Sequence, residues 1–213
     1  MKSFSLRSSA SVGVSFLLLV LITILSLNCR KFDLGASEKT KKDNPFNVKN
    51  AKEWWFGEFK KSTAYRQINE NSPLFVKLDN NTVNKIPSWK RAVEYKIGKW
   101  DIVETPLFYS EQKVLLPSMQ ALNYEERLKV ANSTITRMLL IKLPNDSVVV
   151  RTMTVVPTLQ YASKINYDIS GFRFNKFLKD FDGYIFISDW SGKLINSFNI
   201  RKGNVGKKLK FVK

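Results

Sequence analysis

The chain has 213 residues, with 35 Lys and Arg against 18 Asp and Glu, one cysteine and no histidine. That inventory excludes histidine-based triads, zinc sites built on Cys and His, and an intramolecular disulfide. A hydrophobic share of 44% with 13% aromatics separates the chain from disordered tails, and no motif in it implies a cofactor.

Charge points outward rather than to a defined site. Lys2 and Arg7 precede Cys29 and no acid does, so a chain beginning at Cys29 holds 33 bases against 18 acids, a net +15. Such a charge favours anionic partners. Lys outnumbers Arg 26 to 9 and is scattered along the whole chain, and no nucleic-acid module is present. Specific base readout relies instead on clustered bidentate arginines, so a specific nucleic-acid partner is not expected.

The first element is an export signal, residues 1–28. Lys2 and Arg7 form a basic lead, and Val12 to Leu27 is almost wholly apolar. A basic n-region followed by a short apolar h-region has the form of a secretory signal. The run is shorter than the ~20 residues of a comfortable bilayer span. Ser26-Leu27-Asn28-Cys29 resembles a bacterial lipobox, in which the cysteine becomes the first mature residue and carries the lipid. Asn28 departs from the small residue usual before that cysteine. The resemblance implies lipidation of Cys29, palmitate included, and multiple acyl chains are what stable anchoring requires. An uncleaved signal anchor is the alternative. Residues 29–49 then read as a lipidated N-terminus and linker, rich in Lys, Asn and Asp and without apolar period.

Residues 50–213 read as a single α+β domain. Asn50 with Glu53 has the form of a capping box for a helix running to about Arg66. Asn69 to Pro87 is loop-like. Ala92–Ile97 and Trp100–Pro106 flank Gly98-Lys99 as a hairpin. Val114–Leu116 reads as a short edge strand, and Asn123–Ala131 as a short helix or turn. Thr134–Leu143 and Val148–Val156 are two long β-prone runs around Pro144-Asn145-Asp146-Ser147, apolar enough for central strands. Thr158–Phe177 fits neither period. Tyr184–Asp189 and Lys193–Ile200 form a third hairpin around Trp190-Ser191-Gly192. The expected architecture is an N-terminal helix packed on a curled antiparallel sheet of about six strands, cystatin-like in outline, with a small barrel as alternative.

Three stretches together carry a family resemblance: Ala51 to Ser62, Pro87-Ser88-Trp89-Lys90 with Val103 to Leu107, and Asp180 to Tyr184 with Trp190-Ser191-Gly192. The pattern resembles a group of uncharacterised exported lipoproteins of Bacteroidota-type bacteria. It implies an envelope location and brings no activity.

Four constellations bear on function. Trp54, Trp55, Phe56 and Phe59 crowd large aromatics into six residues. Trp54, Trp55 and Phe56 are the candidate contact surface for sugar or peptide, against a structural reading with Trp55 and Phe59 in the core and Trp54 and Phe56 covering sheet edges. Asp180, Asp182 and Asp189 around Gly183 match part of a calcium loop but lack its terminal glutamate, so turn chemistry is the expected role and no metal is expected. Asp101 with Glu104, and Glu125 with Glu126, are the close acid pairs, and paired carboxylates serve hydrolysis only when they face each other across a cleft. No serine sits in a nucleophile turn and no glycine loop cradles phosphate.

The leading expectation is a lipid-anchored, non-enzymatic binding module of the cell envelope, exported to a periplasmic or outer-membrane face, with an envelope protein or polysaccharide as partner. An envelope enzyme or protease-associated domain using carboxylates such as Asp101 and Glu104 is the second reading. A signal-anchored basic protein binding anionic polymers is the third.

Overall fold

The computed structural model describes residues 46–66, 85–109 and 122–208. The apolar run, Cys29, the linker up to residue 45 and the expected Val114–Leu116 strand lie outside these residues.

The first helix, α1, spans Val48–Gly57. Its N-cap is Asn47, whose Oδ1 accepts the Asn50 N–H at 2.9 Å, and Glu94 reaches across to accept the Val48 N–H at 2.7 Å. The expected Asn50–Glu53 capping box is thereby corrected: Asn50 is already helical, three residues past a better-placed asparagine. The helix also ends well short of Arg66. Beyond Gly57 the chain breaks into a 3₁₀ turn, Phe59–Lys61, and a one-turn helix, α2, Thr63–Arg66. The Ser62 hydroxyl stabilises the break by donating to the Phe59 carbonyl, 2.7 Å, and accepting the Tyr65 N–H, 3.3 Å.

Eight strands follow among the described residues: β1 Lys85–Pro87, β2 Val93–Ile97, β3 Trp100–Tyr109, β4 Ile135–Lys142, β5 Val148–Pro157, β6 Gly183–Ser188, β7 Leu194–Arg201 and β8 Asn204–Lys208. Every pairing is antiparallel and the order is β1-β3-β4-β5-β6-β7-β8, with β2 also against β3. β1 takes the C-terminal half of β3 (Lys85 opposite Tyr109) and β2 the N-terminal half (Ile97 opposite Trp100). The order is an open path whose ends, β1/β2 and β8, are not joined. This corrects the expected sheet: it has eight strands rather than about six, and it is neither the curled cystatin-like wrap nor the small barrel. An antiparallel meander needs no crossover to grow, so each hairpin added one strand to an open edge.

Two of the extra strands come from local chemistry. β8 returns on β7 through Lys202-Gly203, both at positive φ (48° and 74°), the backbone of a tight two-residue hairpin. β1 is a three-residue edge ending at Pro87, where a missing N–H costs no ladder bond.

Helix α3, Tyr124–Ser133, carries the capping box that the sequence suggested elsewhere: Asn123 accepts from Glu126 N–H at 2.9 Å and Glu126 accepts from Asn123 N–H at 3.0 Å. The ambiguous stretch after β5 begins as α4, Leu159–Lys164, capped by Thr158. It then runs irregularly through Asn166 and Tyr167, both at positive φ, to β6.

Strand register sorts the core onto two faces. On the first, Val103, Leu107, Met138, Leu140 and Val150 lie under Ala51, Trp55 and Phe59, and Val156 with Phe186 lies under Val130 of α3. On the second, Ile102, Leu139, Met153, Val155, Ile185 and Ile187 are buried. The 165–182 segment is tied to this face: the Phe174 N–H donates to Glu104 at 3.0 Å and the Arg137 guanidinium donates to the Ser170 carbonyl at 2.6 Å.

Candidate functional site

The aromatic cluster sits where α1, the 3₁₀ turn Trp89–Arg91 and the β6–β7 turn converge on the first face. Trp55 is its hub. Its ring centroid lies 4.9 Å from Phe59, 4.9 Å from Trp190, 5.8 Å from Tyr65 and 6.2 Å from Trp89. At 2% exposure Trp55 is core and presents nothing to a partner. Trp54 is half-buried and stacks on Phe59 at 5.6 Å. Phe56 alone of the three candidates faces out, 45% exposed, with its ring 6.3 Å from Trp89 and the Lys60 amine 5.5 Å from its centroid. Helical spacing explains the division: Ala51 and Trp55 are four apart and share the inner face of α1, whereas Phe56 is rotated away.

Sequence reading passed over two members of this cluster. Trp190 joins from the β6–β7 turn, its indole N–H donating to the Tyr65 carbonyl at 3.1 Å. Lys85, at the start of β1, places its amine 4.6 Å above the Trp190 ring and donates to the Trp190 carbonyl. Burial lowers its pKa to about 8, against an opposing pull from Asp189. Neither contact had a signal within its own segment, because the partners are about a hundred residues apart in sequence.

The acid pairs do not converge. Asp101 and Glu104 lie three apart on β3, and odd spacing sends their side chains to opposite sheet faces. Asp101 pairs with Lys96 at 3.2 Å. Glu104 is fully buried, accepting from Tyr95 Oη at 2.6 Å and from Phe174 N–H. Arg137 Nε lies 3.0 Å from Glu104 Oε1, an ion-pair distance without hydrogen-bond alignment. Burial raises the Glu104 pKa, opposed by Tyr95, Phe174 and Arg137, and burial lowers that of Arg137, opposed by Glu104. Tyr95 is pushed up by burial and by the carboxylate beside it. A carboxylate closed in by two hydrogen-bond donors, a guanidinium and a covering segment is built to hold structure, not to meet substrate. Glu125 is an exposed first-turn residue of α3 and Glu126 closes its capping box.

The three aspartates near Gly183 work in turns. Asp189 Oδ1 accepts from Ser191 Oγ at 2.6 Å and Lys193 N–H at 2.9 Å. Asp182 Oδ1 accepts from Lys202 N–H at 3.3 Å, and Asp180 takes positive φ at 54°. Among the described residues no group of three or more His, Cys, Asp or Glu side chains is placed to hold a metal ion, and no helix is long and apolar enough to cross a membrane.

Comparison with family models, curated proteins and solved structures gives no significant match to any of them.

Proposed function

We propose that the chain is exported and held at a bacterial membrane by a lipid on Cys29, and that its folded part is a non-enzymatic binding module of the cell envelope. The observation that carries this reading is positional. The one cysteine of the sequence stands directly after a basic lead and an apolar run, where a lipid-bearing residue belongs. A lone cysteine elsewhere in an exported chain has no such role.

The geometry supports binding over carboxylate catalysis. The acid pair that would have served an enzyme is divided between two faces of the sheet, and its buried member is committed to Arg137, Tyr95 and the covering segment. Of the aromatic candidates, Phe56 and the half-buried Trp54 are left for a partner, an envelope protein or polysaccharide.

The test is the mass of the mature N-terminus in a lipoprotein-processing host, wild type against Cys29→Ala. The expected result is a chain beginning at Cys29 with added acyl mass, absent from the mutant. An unmodified chain retaining the apolar run would overturn the anchor and leave an uncleaved signal helix.

A further inference from the structure

The surface around Phe56 has a second property beyond its aromaticity. Phe56 is exposed, and cations lie over it and on the three elements around it. Lys52 lies one turn before it on α1, Lys60 sits over its ring, and Lys61 follows in the same 3₁₀ turn. Trp89, whose ring is 6.3 Å from Phe56, is followed by Lys90 and Arg91. All five cations are exposed. Glu53 and Glu58 are the acids on this helix and turn, so the cations outnumber them.

We infer that this face is a contact surface for an anionic bilayer, engaged in cis while the chain is tethered at Cys29. The inference rests on the lipid-anchor reading above. An exposed apolar ring on elements rich in bases matches the two layers of a membrane interface: the ring enters the acyl boundary and the cationic groups stay among phosphates. Each basic residue near an anionic surface adds to the attraction, so five of them together outweigh the two acids of the same helix and turn. The 18 residues between Cys29 and Val48 let the two lie no more than about 70 Å apart, so tethering holds this face at high local concentration near the bilayer. The bilayer is favoured over a soluble polymer because Phe56 supplies apolar area that a hydrated polyanion does not use.

The experiment uses the full lipidated chain carrying Phe56→Cys labelled with an environment-sensitive fluorophore, on vesicles of phosphatidylcholine alone or with about a quarter phosphatidylglycerol. Flotation on phosphatidylcholine vesicles reads the anchor by itself. The fluorophore reads the face. Expected is a blue shift with at least about a twofold rise in intensity on the anionic vesicles only, reversed near 0.5 M salt. It should vanish in the Lys60→Glu, Lys90→Glu, Arg91→Glu triple variant. A chain that floats without a shift at position 56 overturns the inference and leaves the anchor standing. The same shift at a label on Leu128→Cys, exposed on α3, or with soluble dextran sulfate in place of vesicles, also overturns it.

Discussion

Glu104 and Arg137 are buried against each other across the β3–β4 pair, 3.0 Å apart on the diagonal between facing strands. Glu104 also accepts from Phe174, and Arg137 also donates to Ser170, so the pair fastens the irregular 165–182 segment to the second face of the sheet. Arg173 strengthens the same segment by donating to the Ser170 and Phe172 carbonyls at 2.9 and 3.0 Å. Removing one partner leaves an uncompensated buried charge, which costs about 3–5 kcal/mol. Glu104→Gln is therefore expected to lower stability by that amount in urea denaturation. Pairing it with Arg137→Met is expected to recover about 1–3 kcal/mol relative to the sum of the single changes. Strict additivity in this double-mutant cycle would mean that the two side chains are held independently.

Lys85 supplies a pH signature for the opposite face. Its folded pKa of about 8 lies below the ordinary 10.5, with burial the main cause. The folded chain gives up this proton first, so between those two values the unfolded chain binds more protons and stability rises with pH. Below the folded value both states are protonated and the cost of burying the charge is fully present. The neutral amine still donates to the Trp190 carbonyl. Melting curves of wild type and Lys85→Met from about pH 7.5 to 10 should show a rise in their Tm difference in favour of wild type. Parallel curves would place the amine in water.

The contrast between these two lysine and arginine sites and the strands shows what the sequence exposed. The hairpins at Gly98-Lys99, 143–147 and 189–193 were legible because turn chemistry and alternation are local. The β7–β8 hairpin left only Lys202-Gly203 as a signal, ahead of a short strand with a glycine at its centre, Gly206. The missing curl was not legible at all, because closure depends on how far strands twist and not on which residues are apolar. Trp55 and Phe59 could be assigned to the core from helical spacing. Lys85, Trp190, Tyr95 and Arg137 could not, since each acquires its role from a residue on another strand or turn. The expectation for Cys29 lies outside the described residues.

Trp55 and Phe56 are adjacent and separate cleanly by role. Trp55 is packed among four aromatic rings, and replacing a buried tryptophan by alanine costs about 3–5 kcal/mol. Among the described residues Phe56 has one ring neighbour and one lysine over it, and its truncation is expected to cost less than about 1 kcal/mol. Thermal unfolding of Trp55→Ala and Phe56→Ala checks both. A large loss from Phe56→Ala would make it a core residue and remove it as a contact surface.

Two glycines give opposite expectations from one substitution. At Gly183, which starts β6, a Cβ would stand 2.3 Å from the Val156 carbonyl oxygen, 2.7 Å from the Phe181 ring and 2.9 Å from Pro157 Cα. The first and last of these are backbone atoms of the neighbouring strand, and Phe181 is fully buried, so none of the three yields without moving the β5–β6 pair. Gly183→Ala should destabilise by about 1–3 kcal/mol, the range of overpacked cores. Gly57 closes α1 with nothing within 4 Å of an added Cβ. Alanine there removes the entropy cost of a helical glycine and should stabilise by about 0.5–1 kcal/mol. Urea midpoints of the two variants should therefore move in opposite directions from wild type. A Gly183→Ala protein as stable as wild type would show that β5 and β6 can separate at Pro157 without cost.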